Sequence, residues 1–189
     1  MFGQESLESA VRDHRESIPA KHLLDNFRHF IALHALIGDT RVQGKPSYLI
    51  NGDAYIYERA LLHKQEVLFR VGATSKHALL IGGYLGHALL LLLISKPTLH
   101  VTLLEDDVSV NAPAIVTYFQ EHFPNRVTFY PGSVASVFEH LPDRAFDMIH
   151  INQEHTYALI TEQLSNIQRV SYPGTYLVLD GYEDVQSLV

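Results

Sequence analysis

The chain has 189 residues, 47% hydrophobic and 19% charged, which suits one globular domain with room for a real core. Its 14 Lys and Arg against 21 Asp and Glu leave a net charge of −7, with no basic run, which argues against a nucleic-acid partner bound by phosphate neutralisation. The absence of cysteine excludes disulfides, thiolate catalysis and cysteine-based zinc sites.

The first residues, MFGQESLESAVRDHRES, are polar and amphipathic and lack the apolar run of a signal peptide, so a cytoplasmic protein is expected. Spacing predicts helices over 4–16 and 20–37, the second with Leu23, Phe27, Phe30, His34 and Ile37 on one face. GDTRVQGKPSYLINGD then reads as a loop, and Asp53 as the cap of a helix over 54–71. That helix would bury Ile56, Ala60, Leu61, Val67, Leu68 and Val71. Residues 1–52 form an extension and 53–189 a core, within a single domain.

From Lys76 the pattern alternates regularly. Strands are predicted at 77–81, 99–105, 126–130, 146–152 and 175–180, and helices at 85–95, 110–123, 134–141 and 156–170. Strands alternating with helices on short connections mean a parallel sheet covered on both faces, its strands continuously apolar. The stretch ALLIGGYLGHALLLLLIS is apolar enough to suggest a membrane span, which needs about 20 uninterrupted apolar residues. Gly82, Gly83 and Gly86 interrupt it, so it reads as strand, turn and buried helix, with no membrane partner.

Glycines in that turn let a ligand approach the backbone, and the helix that follows offers unpaired N–H groups. Glu105 ends the next strand, where an acid can hold ribose hydroxyls. A solvated loop acid and tight packing at the glycines are the plainer readings of the same residues. HINQEH sets His150 and His155 around an acid, but the spacing does not match a zinc-protease helix.

The run LLIGGYLGHA, LLEDD, YPGS, FDMIHINQEHTY and PGTYLVLDGY, in this order and spacing over about 55–182, resembles the class I S-adenosylmethionine-dependent methyltransferases, in their small-molecule O-methyltransferase-like branch. The resemblance implies an α/β, Rossmann-like, doubly wound sheet of five mainly parallel strands in the order 3-2-1-4-5, with helices on both faces and N-terminal helices. It implies S-adenosyl-L-methionine as cofactor and a small-molecule acceptor methylated on oxygen. Gly82, Gly83, Tyr84, Gly86 and His87 would hold the methionine end, Glu105 with Asp106 the ribose, Ser133 and Val134 the adenine side, with Asn152 beside them. His155 and Asp180 would be the catalytic candidates. His155 titrates near neutrality and could take the acceptor's proton, or simply be a surface histidine.

The chain departs from the family pattern where Leu80, Ser133, Asn152 and Gly181 replace acids. A hard divalent cation wants several anionic oxygens. Asn152, Glu154 and Asp180 are the weak candidates for holding one, and their ligand count argues against a stable metal site. The alternative function is a methyltransferase-fold protein that binds or associates without catalysis. A dinucleotide-dependent oxidoreductase fits less well, since the turn is not G-x-G-x-x-G. Tyr55, Tyr57 and Glu58 could line an acceptor pocket or begin a packed helix. TYLVLD reads as an apolar edge strand with nine residues after Asp180, and the N-terminal helices or a second copy in a homodimer are expected to cover it.

Overall fold

The structure is a computed structural model and describes residues 4–37, 59–83, 85–105, 112–152 and 157–180. Helices α1 (Gln4–Asp13), α2 (Ile18–Asp25) and α3 (Phe27–Ile37) come first. Ser17 starts α2, its Oγ accepting from the Ala20 N–H at 3.2 Å, and Pro19 sits in the first turn, where a missing N–H costs nothing.

The single helix expected over 20–37 is two helices because Asn26 closes the first. Its side-chain amide donates to the His22 carbonyl at 2.9 Å, and its backbone N–H donates there at 3.1 Å. The break shifts the helical phase. His34, expected inside, is exposed, while His29 and Leu33 turn inward with Phe30 and Ile37.

Helix α4 (Arg59–Thr74) leads into the sheet. It buries Gln65, Leu68 and Phe69, and Val67, expected in the core, is 40% exposed. The proposed cap Asp53 and the residues Tyr55, Ile56, Tyr57 and Glu58 lie outside the described residues.

Then follow β1 (His77–Ile81), α5 (His87–Ser95), β2 (His100–Glu105), α6 (Ala112–His122), β3 (Val127–Pro131), α7 (Val134–Phe138), β4 (Phe146–Ile151), α8 (Tyr157–Val170) and β5 (Ser171–Leu179). The strands form one sheet in the order β3-β2-β1-β4-β5, each pair parallel. Alternation of side chains along the strands divides the core in two. Leu80, Leu103 and Met148 pack with residues of α2, α3, α5 and α6. Leu79, Ile81, Leu104 and Ile149 pack with residues of α7 and α8 on the other face.

The expected burial on both faces holds for β1 after His77, β2 after His100 and β4 apart from Asp147, whereas β3 is only half-buried after Val127. It does not hold for β5, which begins at Ser171 rather than 175 and leaves Tyr176 and Leu177 exposed. The apolar run over 78–95 is the predicted strand, turn and buried helix. Among the described residues no helix is long and apolar enough to cross a membrane.

Candidate active site

β1 gives way to α5 through glycines at its carboxyl end. Gly82 and Gly86 hold φ values of 80° and 77°, which L side chains rarely adopt, and Gly86 is the residue that opens α5. A Cβ on Gly86 would also meet Ile115 at 2.9 Å and Phe119 at 3.1 Å. Gly83 lies so close to β2 that a Cβ there would meet the Leu103 side chain at 2.6 Å and Glu105 Oε2 at 3.4 Å. The turn is therefore pressed backbone-first against the end of β2.

Glu105 closes that gap. Its side chain is 7% exposed, and its Oε2 accepts the Gly83 N–H at 2.6 Å. A buried carboxylate is costly unless hydrogen-bonded, so this contact helps to offset its desolvation. The acid stands in a narrow, otherwise apolar recess walled by Gly83, Gly86, Leu103, Ala112, Ile115, Val116 and Phe129.

Backbone hydrogen bonds carry the parallel ladder one step past the strand ends. Gly82 N–H donates to Leu104 O at 2.9 Å, Asn152 N–H to Ile81 O at 2.8 Å and Asp180 N–H to Ile151 O at 3.0 Å. Glu105, Gly82, Asn152 and Asp180 thus form one row along the carboxyl edge of the sheet. With strands about 4.8 Å apart, Asp180 stands about 10 Å from Gly82. The Asp180 carboxylate is ion-paired with Lys64 of α4 at 2.6 Å, and both side chains are mostly shielded, 16% and 23% exposed.

The remaining sequence candidates fall elsewhere. His87 is the first residue of α5 and is buried, its ring centroid 6.0 Å from that of Phe30. It packs toward α3, and burial, with a smaller push from His34, lowers its imidazole to about 3. Ser133 is the exposed cap of α7, its Oγ accepting the Ser136 N–H at 3.3 Å. Val134 is buried in the core on the α7 face. Neither residue lines the recess, whose far wall comes from α6 and Phe129. His150 is buried in β4 beside Leu80 and Val178. Tyr84, Asp106, Glu154 and His155 lie outside the described residues. Among the described residues no three metal-ligating side chains gather.

Sequence reasoning missed Lys64 and the apolar wall. The wall was accessible from the pattern, because Ile115 and Val116 share the buried stripe of α6 with Phe119. Lys64 had no such signal, since its partner is distant in the chain.

The sequence profile of a family described as "Methyltransferase domain" matches residues 79–182, more than half of the chain. The chain belongs to the methyltransferase domain family. The matched span runs from β1 past β5, and so covers the whole row of this methyltransferase domain.

Solved methyltransferases share its fold. Cofactor-bound Rv0187 from MTB is 17% identical with a TM-score of 0.62, over 81% of this chain and 65% of that one. The O-methyltransferase TomG from Streptomyces achromogenes, solved with SAM, is 18% identical with a TM-score of 0.57, over 67% and 59% of the two chains. The O-methyltransferase from Bacillus cereus, solved with SAH, is 18% identical with a TM-score of 0.52, over 79% and 72%. This chain thus spans less than two thirds of Rv0187 and TomG. No curated protein matches it by sequence.

Proposed function

We propose that this methyltransferase domain transfers a methyl group from S-adenosylmethionine to an oxygen of a small molecule. The observation that carries the reading is the buried Glu105 carboxylate facing the glycine turn in an apolar recess. Relatives of the same fold solved with SAM or SAH support it.

The residues present fit such a cofactor. A carboxylate has about four lone-pair sites, so Glu105 can hold the Gly83 N–H and still accept from ribose hydroxyls. Ile115, Val116 and Phe129 offer apolar walls for a flat base. The start of α5, whose first N–H groups have no partner within the helix, is the place for an amino-acid carboxylate. Bound there, the cofactor would supply an electrophilic methyl group on a cationic sulfur, which would keep the electron pair of the S–C bond as the acceptor oxygen takes the methyl. The protein's share is in-line positioning and disposal of one proton. His155 would take that proton from the acceptor hydroxyl and pass it to water, and the Asp180 carboxylate at the end of the row would hold the hydroxyl in place.

Calorimetric titration with S-adenosylhomocysteine tests this. Micromolar binding to the natural protein and a loss of at least about 100-fold in Glu105→Ala are expected, because two charge-assisted hydrogen bonds disappear. No binding by either protein at millimolar ligand would leave the fold as a binding or association module without methyl transfer.

A further inference from the structure

Asn152, Glu154 and Asp180 are the sequence's candidates for a divalent cation, and the described two do not suit one. Asn152 is neutral, and the Asp180 carboxylate already faces the Lys64 ammonium at 2.6 Å. A hard cation would give up anionic oxygen ligands and stand against a like charge. We propose that the Lys64 ammonium takes the cation's place: it is the fixed positive charge at the acceptor end of the row, and methyl transfer here needs no divalent ion. The proposal rests on the methyl-transfer reading of the site.

Lys64 is not an ordinary surface lysine. It lies one helical turn before Leu68, on the stripe that α4 turns to the core, and its side chain is 23% exposed. Lysine is seldom shielded to that extent without a partner. The ion pair joins the helix to the one end of the row that carries an acid besides Glu105. An acceptor hydroxyl that loses its proton gains negative charge, which a lone carboxylate beside it would oppose. An ammonium within hydrogen-bond reach of that carboxylate removes the opposition, as a metal ion would. Lys64 is therefore a positioning residue, acting through Asp180.

The test is titration of the protein with Mn²⁺, read by electron paramagnetic resonance, on the natural protein, Lys64→Arg, Lys64→Met and the double variant Lys64→Met with Asp180→Asn. Circular dichroism verifies folding, and Lys64→Gln is the reserve for loss of charge. The natural protein and the Arg variant should show no Mn²⁺ site tighter than about 1 mM. Removing the ammonium should raise affinity at least about tenfold, and the double variant should lose that gain.

Micromolar Mn²⁺ binding by the natural protein that the double variant lacks would overturn the proposal, and so would an absence of gain in both Lys64→Met and Lys64→Gln. S-adenosylhomocysteine titration of the same samples separates the two ideas. If it binds and Mn²⁺ also binds tightly, this inference alone falls. If it does not bind, the methyl-transfer reading falls and takes the inference with it.

Discussion

His87 shows what one residue's surroundings do to its chemistry. Its position in the turn suggests a ligand contact, yet the ring is sealed inside and pushed down to about 3 by burial, with His34 adding to the effect. The folded state therefore holds the neutral imidazole, whereas the unfolded chain takes a proton near the ordinary 6.5. A depressed folded value contributes stability that is present above 6.5 and is lost as pH falls toward about 3. One such site costs about 1.4 kcal/mol per pH unit in that window, so about 2 kcal/mol between pH 6.5 and 5. Urea unfolding at pH 7.5 and 5 should show this loss in the natural protein, with the decline smaller by that amount in His87→Leu. An equal decline in both would mean that the imidazole is not held neutral. His29 and His100 are lowered as well, mainly by burial, and should supply the remaining acid sensitivity. Glu105 was legible in the sequence because a strand's last residue has only one place to be. His87 was not, because α5 is apolar on every side and its sequence does not say which neighbour each face meets.

At the scale of elements, α5 explains both the success and the limits of pattern reading. All of its residues from His87 to Ile94 are buried, between the sheet and the N-terminal helices, so it lacks the polar face that gives a surface helix its phase. Strand and helix order from His77 onward was readable because glycines and prolines punctuate it. The split at Asn26 and the inward face of α4 were not, because they depend on how helices lie against α5. The C-terminal end of α5 is tied down by Arg126, just before β3. Its Nη2 donates to Leu93 O at 2.7 Å and Lys96 O at 2.6 Å, and its Nε to Leu99 O at 3.0 Å. Final-turn carbonyls have no helical partner, and a cation there also suits the helix dipole. Arg126→Met should keep the stem and lose all three bonds, destabilising the protein by about 2–4 kcal/mol in urea unfolding. Arg126 lies at the amino end of the sheet, opposite the recess, so S-adenosylhomocysteine affinity of the folded variant should stay unchanged. A parallel loss of affinity would show that α5 transmits strain to the glycine turn.

For the whole molecule, the question is what meets β5. It is the last strand of the described sheet, nine residues long, and SYPGTYLVL contains no charged side chain. Proteins usually guard such edges with lysine, with shortness or with a cover. Here Tyr176 is 53% and Leu177 41% exposed, and as neighbours on a strand they point to opposite faces. A strand that is apolar on both faces and unpaired on its outer side, among the described residues, is complementary to a second copy of itself. Two copies related by a twofold axis would pair β5 with β5 in antiparallel fashion and continue the sheet through the dimer. Light scattering at about 50 µM should then give twice the 21.4 kDa chain mass, because a dimer with a Kd of about 1 µM is largely assembled there. Leu177→Lys places a charge where the partner strand would pack, and should return a folded monomer. The recess lies two strands away, across β4 and β1, so the monomeric variant should bind S-adenosylhomocysteine as the natural protein does. A natural protein that scatters as a monomer would rule out this pairing and leave β5 to be covered by some other segment or partner.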